Sequence, residues 1–230
     1  MVKGKITPNT ILHFGKSSVE DEDVVEDLIC VENILDRASS DNVSDALKNL
    51  YGKSGLLRGV KALNPKHKIA GFIRTVSTNS DDWGTGIKGI YACEKDEILV
   101  INCSNDDYAI WGALASRSAK MHGVQGTVII GFSRDTDDVL NMDFPLFSRG
   151  VASCAGFPHN NGTIDSKLFV DDLIIESGDF IICDIDGCVV VSRDCLDEVL
   201  EEVNRIKQFE IECFNKLSEG NSRLDDLVGF

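Results

Sequence analysis

Between Trp111 and Asp138 the sequence runs WGALASRSAKMHGVQGTVIIGFSRDTDD, a pattern that few folds accommodate. Trp111-Gly112 lets the backbone turn, and Ala113 to Met121 then supplies strong helix formers. Gly123 and Gly126 close that helix and open Thr127 to Ile130, a β-branched run of the kind found in fully buried strands. After Gly131 a guanidinium and a carboxylate, Arg134 and Asp135, stand side by side in a polar loop at the strand's exit. A helix, a buried strand and a charged pair at the strand's carboxyl end describe an α/β protein, and that end is where such folds bind ligands. Free N–H groups at the helix start could hold an anion from one side, and the fork of Arg134 from the other. Asp135 could hold a hard divalent cation beside it. The stretch reads as an anion-plus-metal site.

Charge and cysteine usage narrow the partners. With 230 residues, the chain is long enough for one domain with a substantial core. A net charge of -15 makes nucleic acid and anionic membrane surfaces poor partners. No apolar run approaches the roughly 18 residues of a membrane helix. The eight cysteines include no CxxC pair and sit mostly inside apolar runs, and no secretory leader is read. They are expected to be buried, reduced thiols in a cytoplasmic protein.

Along the chain, residues 1–18 read as an N-terminal arm, and 19–230 as a single domain. Val19 to Arg37 carries an apolar stripe at helical spacing behind the acidic run Glu20 to Asp23, and Asn42 to Leu50 forms a second helix stopped at Gly52. Lys68 to Thr78 and Ile98 to Asn102 read as strands. Between them, Gly84-Thr85-Gly86-Ile87-Lys88-Gly89 matches the dinucleotide fingerprint in letters. Too few residues follow it for the required helix, so a flexible loop near a site is expected there. Gly52-Lys53-Ser54 is no phosphate loop, since Leu47 stands where a glycine is needed. His159 falls in a loop, GFPHNNGT, with no second histidine nearby, and is expected to be exposed. Phe180 to Asp184 and Cys188 to Ser192 form a hairpin turned at Asp186-Gly187, and Asp194 to Leu217 makes one long C-terminal helix.

The order of these elements resembles the RraA-like family, which includes 4-hydroxy-4-methyl-2-oxoglutarate aldolases and the regulator of ribonuclease E activity A. The matching pieces run from Ser44-Asp45-Ala46-Leu47 through Ile69-Ala70-Gly71 and Trp111-Gly112-Ala113-Leu114-Ala115 to Arg134-Asp135-Thr136-Asp137-Asp138. Phe144-Pro145-Leu146-Phe147, Arg149-Gly150, Gly178-Asp179 and Asp184-Ile185-Asp186-Gly187 continue the register. The resemblance implies an αββα sandwich of the swivelling β/β/α type, assembled as a homotrimer or a dimer of trimers with sites between subunits. By the same resemblance, Arg134 grips the carboxylate of a small 2-oxo acid, with backbone groups at Gly112, Leu114 and Ala115 beside it. Asp135 holds Mg²⁺ or Mn²⁺, largely through water, and Asp138 orients metal-bound water. Glu210 falls where members place a glutamate from the adjacent subunit.

The implied reaction is carbon–carbon bond cleavage through a pyruvate enolate, either as an aldolase or as an oxaloacetate decarboxylase. A divalent ion stabilises the enolate as a Lewis acid, and fixed N–H dipoles and Arg134 add to it. One position departs from the family pattern. Aldolase-type members carry a proton-relaying aspartate 21 positions before the arginine, and here that position is Ala113. Decarboxylation asks less of such a group than aldol cleavage does. The alternative function is a non-catalytic regulatory binding protein of the ribonuclease regulator type.

Overall fold

The computed structural model describes residues 38–103, 107–220 and 222–229, together with Ile34 and the strand pair β1 (Leu12–His13) and β2 (Leu28–Ile29). Most of the arm and of the expected helix from Val19 to Arg37, including its acidic start, lies outside the described residues. Where Leu28–Ile29 is described it pairs antiparallel with Leu12–His13, so that part is strand. Helical spacing over a short apolar segment is a weak signal that strand pairing overrides.

Helix α1 (Ser40–Tyr51) stops at Gly52, whose φ of 69° is the left-handed cap. Its start is held by a carboxylate distant in sequence: Asp184 accepts from Ser40 N at 2.7 Å and from Ser40 Oγ at 2.6 Å. Strands β3 (Lys61–Ala62) and β4 (Ile69–Thr78) follow, then helix α2 (Trp83–Ala92). The glycine-rich run is therefore helix, where a loop was expected. Its glycines serve close packing: a Cβ on Gly89 would stand 2.6 Å from Val76 Cγ2, and one on Gly84 2.9 Å from the Pro158 backbone.

Next come β5 (Ile98–Cys103), β6 (Ala109–Trp111), helix α3 (Ala113–His122), β7 (Gly126–Ser133), a short helix α4 (Thr136–Met142) and β8 (Leu146–Val151). Strands β4, β5, β7 and β8 run parallel in that order, so the helices between them cross over one face. β9 (Thr163–Ile164) adds to β4, and β10 (Leu168–Val170) and β11 (Leu173–Ile175) form a separate hairpin. β12 (Phe180–Cys183) and β13 (Cys188–Val191) extend the main sheet antiparallel beyond β4. The Cys183↔Cys188 pairing leaves Asp184 to Gly187 as the turn, longer than the expected two residues.

Three apolar clusters fill three layers. α1 and the long helix α5 (Leu196–Ser218) pack on one side through Val43, Leu47, Leu196, Val199 and Val203. The space enclosed by the curled sheet holds Ile73, Val100, Val128, Phe147, Ile175 and Ile181. On the other side α2, α3 and α4 cover Val76, Leu99, Ile101 and Ile129. Helices outside and sheet walls within give the expected αββα arrangement. Only the first half of α5 is buried; Phe209 and Phe214, nearer its end, are exposed. A last short helix, α6 (Leu224–Val228), follows α5. The described cysteines form no disulfide among themselves, and Cys93, Cys103, Cys183 and Cys188 are buried while Cys154 is exposed. Among the described residues, no helix is long and apolar enough to cross a membrane.

Candidate active site

The site is built where β6 and β7 end. β6 lies parallel to the end of β7, pairing Ala109 with Phe132 and Trp111 with Ser133. Arg134 N donates to Trp111 O at 2.8 Å, which fixes the strand's exit beside the start of α3. Trp111 itself is buried and donates from Nε1 to Ser116 Oγ at 2.9 Å, so its ring is held in the core at the pocket's edge.

Only two residues separate β7 from α4, so the expected polar loop is a sharp corner. Asp135 takes φ 57° and ψ 41°, a left-handed conformation that aspartate tolerates better than most residues. That corner turns its carboxylate back onto α3, where Oδ2 accepts from Ala113 N at 3.1 Å. Oδ1 lies 3.5 Å from Arg134 Nε. Gly112 makes the approach possible, since a Cβ there would sit 2.3 Å from Asp135 Oδ2.

α3 starts without a side-chain cap from its own N-cap residue. Its first internal bond is Ser116 N to Gly112 O at 3.0 Å, so the N–H groups of Leu114 and Ala115 have no acceptor within the helix. Both residues line a pocket of about 170 Å³ together with Gly112, Arg134 and Asp135. Trp83 and Ile87 of α2, Ala109, Ile110 and Trp111 of β6, and Ala155 complete its wall. The residues expected to bind the ligand and the one expected to hold the metal are thus neighbours.

Two other expected residues lie elsewhere in this chain. Asp138 is exposed in the first turn of α4 and does not line the pocket. Glu210 lies on α5, accepting from Asn42 Nδ2 at 3.2 Å and pairing with Lys207 Nζ at 3.4 Å. Its expected role was toward a neighbouring subunit, which one chain does not contain.

Asp82 was missed by the sequence reading. It caps α2 while only 1% exposed, accepting from Gly84 N, Thr85 N and Thr85 Oγ1 at 2.9, 3.3 and 2.7 Å. Thr78 Oγ1 adds a contact at 3.0 Å, and the N–H groups of Asn160 and Asn161 donate at 2.8 Å each. Burial by itself raises the Asp82 pKa, but donation from Thr85, Asn160, Asn161 and Thr78 outweighs it and holds the carboxyl well below the ordinary aspartate range. This explains why the dinucleotide match is empty of meaning. A strand, a turn and a helix are all present, but the chain's own carboxylate occupies the helix N-terminus where a phosphate would lie. Asp82 also pins the GFPHNNGT loop against α2, which leaves His159 exposed as expected. The local signal was an aspartate immediately before a glycine-rich helix; two of its partners, Asn160 and Asn161, lie almost eighty residues on.

Among the described residues, no three His, Cys, Asp or Glu side chains gather as a metal cage. A cation at this site would rest on Asp135 with water and the bound ligand completing its sphere. That arrangement fits Mg²⁺, which keeps several waters and takes one or two carboxylates.

A family model for RraA-like proteins, described as Aldolase/RraA, matches residues 40–190. An uncharacterized protein of Methanocaldococcus jannaschii is 34% identical over 198 residues, covering 85% of this chain and 92% of that protein. A Halalkalibacterium halodurans protein named, provisionally, as a 4-hydroxy-4-methyl-2-oxoglutarate aldolase is 30% identical over 164 residues, 71% of this chain and 77% of its own length. Among solved structures, an uncharacterized protein from Pseudomonas syringae pv. tomato superposes with a TM-score of 0.73 at 29% identity, covering 85% of this chain and 96% of that one.

Proposed function

The chain belongs to the RraA-like family, and on that premise we propose that it is a divalent-metal-dependent lyase acting on a small 2-oxo acid through a pyruvate enolate. The observation that carries this reading is the convergence of Arg134, Asp135 and the unpaired N–H groups of Leu114 and Ala115 on one pocket. Arg134 offers a planar fork to the substrate carboxylate, which a lysine could not reproduce. The two N–H groups donate from the opposite side and stay fixed as negative charge develops. Asp135 would hold Mg²⁺ or Mn²⁺, and the ion when bound supplies Lewis-acid polarisation of the oxo and carboxylate oxygens. Among the described residues no lysine lines the pocket, so none of them offers a Schiff-base nucleophile there.

Ala113 decides between the two lyase reactions. Its N–H contacts Asp135, so a side chain at 113 starts beside the metal-holding carboxylate, yet alanine can move no proton. Aldol cleavage must remove a hydroxyl proton, and a positioned group contributes about 10² to 10⁴-fold to such a step. Oxaloacetate decarboxylation needs no such removal. The wild type should therefore release pyruvate from oxaloacetate with Mg²⁺ but cleave 4-hydroxy-4-methyl-2-oxoglutarate slowly, and Ala113→Asp should raise only the second rate. The deciding assay is pyruvate release from oxaloacetate with and without Mg²⁺, in wild type and Asp135→Ala. Activity that is metal-dependent and lost in the variant supports the lyase. No activity in either would leave the regulatory binding protein, which the alanine at 113 also favours.

A trimer or dimer of trimers is part of the same proposal, with Glu210 reaching a neighbouring copy's site. A monomer mass in light scattering at micromolar concentration would remove both.

A further inference from the structure

The hairpin at the end of the main sheet carries a cysteine on each strand, and the two face each other. Cys183 closes β12 and Cys188 opens β13, and they are direct partners in the antiparallel register. Both are fully buried and belong to the apolar interior of the curled sheet, with Leu57, Val60 and Ile69. Asp184 N donates to Gly187 O at 2.9 Å, so the neighbouring pair, Cys183 with Cys188, is one without ladder bonds of its own. Cys188 O is turned the other way and accepts from Leu57 N at 2.9 Å. Pairs of this kind hold their Cα atoms about 4.5 Å apart, with side chains at their closest. A disulfide needs a Cα separation of about 4.4 to 6.8 Å, so the backbone need not move to accept one. Burial first, and then hydrogen bonding to Cys188, push the Cys183 thiol well above its usual range. The resting pair is thus a protonated dithiol. Just beyond it, Ile185 and Asp186 of the turn are exposed, so only the end of the hairpin separates the sulfurs from solvent.

We propose that Cys183 and Cys188 are a reversible redox modification site, closed to a cross-strand disulfide by hydrogen peroxide. In the first step one sulfur attacks a peroxide oxygen and the O–O bond breaks. A sulfenic acid forms, and the departing oxygen takes the thiol proton and leaves as water. The facing sulfur then attacks the sulfenic sulfur, the S–O bond breaks, and the hydroxyl leaves with the second thiol proton as water. Two thiols give up two electrons and two protons, and one peroxide becomes two waters. The first step is slow, because the thiols are protonated and shielded; the second is fast, because the partner is already in place. The sulfenic acid is therefore captured before another peroxide can carry it to sulfinic acid. The crosslink fastens the corner from which Asp184 holds the start of α1. None of this depends on the lyase reading.

The test treats the native, reduced protein with hydrogen peroxide, unfolds it in excess iodoacetamide and cuts it with trypsin. One fragment, residues 168–193, contains both sulfurs and no other cysteine. In the wild type it should be lighter by two hydrogen atoms and carry no alkyl group, and after dithiothreitol it should accept two. In Cys188→Ala, which keeps the interior apolar, that loss should disappear, with Cys183 recovered alkylated or as sulfinic acid. Cys183→Ala is the reciprocal variant, and circular dichroism shows which of the two is folded. A wild-type fragment that still takes two alkyl groups when the exposed Cys154 is fully oxidised overturns the proposal. Sulfinic acid at either position without the linked form overturns it too, as does a bond from Cys183 to any cysteine other than Cys188.

Discussion

Two helices begin beside the pocket, each with an aspartate at its first turn, and the two aspartates are in opposite states. At α2, Asp82 is almost wholly buried and receives hydrogen bonds from Thr78, Gly84, Thr85, Asn160 and Asn161. At α3, Asp135 has a side chain 34% exposed, one N–H contact from Ala113 and a loose pairing with Arg134 at 3.5 Å. A saturated carboxylate has no lone pairs left for a ligand and acts as a fastening. An undersatisfied one beside free N–H groups keeps capacity that a cation or substrate can use. A carboxylate at a helix start thus serves architecture in one place and, on the lyase reading, chemistry in the other.

This contrast can be broken most severely at Asp82. Asp82→Ala should lower stability by about 3 kcal/mol or more, since it strands several buried donors at once, and urea unfolding would measure it. A loss below about 1 kcal/mol, the size of an ordinary helix cap, would show that Asp82 is no fastening. Acid sharpens the same point. The Asp82 pKa is lower folded than unfolded, so its stabilisation is complete above the ordinary aspartate pKa and disappears as pH falls toward the folded value. Wild type and Asp82→Asn should therefore converge in stability only in strongly acid solution.

A smaller effect is expected on the open side. Arg134→Lys keeps the charge but loses the two-point grip, and pyruvate binding should weaken about tenfold, near 1.4 kcal/mol. Affinity close to wild type would mean that Arg134 points away from the ligand. The smallest change concerns folding. Asp135→Ala removes one helix-start acceptor and should cost about 1 kcal/mol of stability or less, while any thermal stabilisation by Mg²⁺ vanishes. An Asp135→Ala protein as unstable as Asp82→Ala would erase the distinction between the two helix starts.

What the sequence made legible follows the range of the interactions. The helix, strand and charged pair from Trp111 to Asp138 are local, so spacing and glycine placement sufficed to place Arg134 and Asp135 beside the start of α3. The hairpin of β12 and β13 was visible for the same reason, although the turn is longer than Asp186-Gly187 suggested. The run from Gly84 to Gly89 misled because glycine disfavours helix in isolation. Its glycines are there for contact with Val76, Ile101 and Pro158, which no local window reveals. The role of Asp82 was hidden likewise, since Asn160 and Asn161 reach it only in the folded chain. The apolar wall depends on α2, β6 and Ala155 meeting in space, and composition gave no hint of it.

The glycine content of α2 also bears on how the molecule assembles. Gly84, Gly86 and Gly89 each oppose helix formation by about 1 kcal/mol relative to alanine, so α2 has little tendency to exist before the sheet it lies on. Its helical state is conferred by β4 and β5 beneath it and by the Asp82 clamp at its start. Trp83 and Ile87 can take their places in the pocket only after those strands have paired. On refolding, amide protection in α2 should therefore lag behind that of β4 and β5. In the native state the same helix should exchange hydrogens through a cheaper opening than the sheet, so the pocket wall is the last part of this unit to form and the first to loosen.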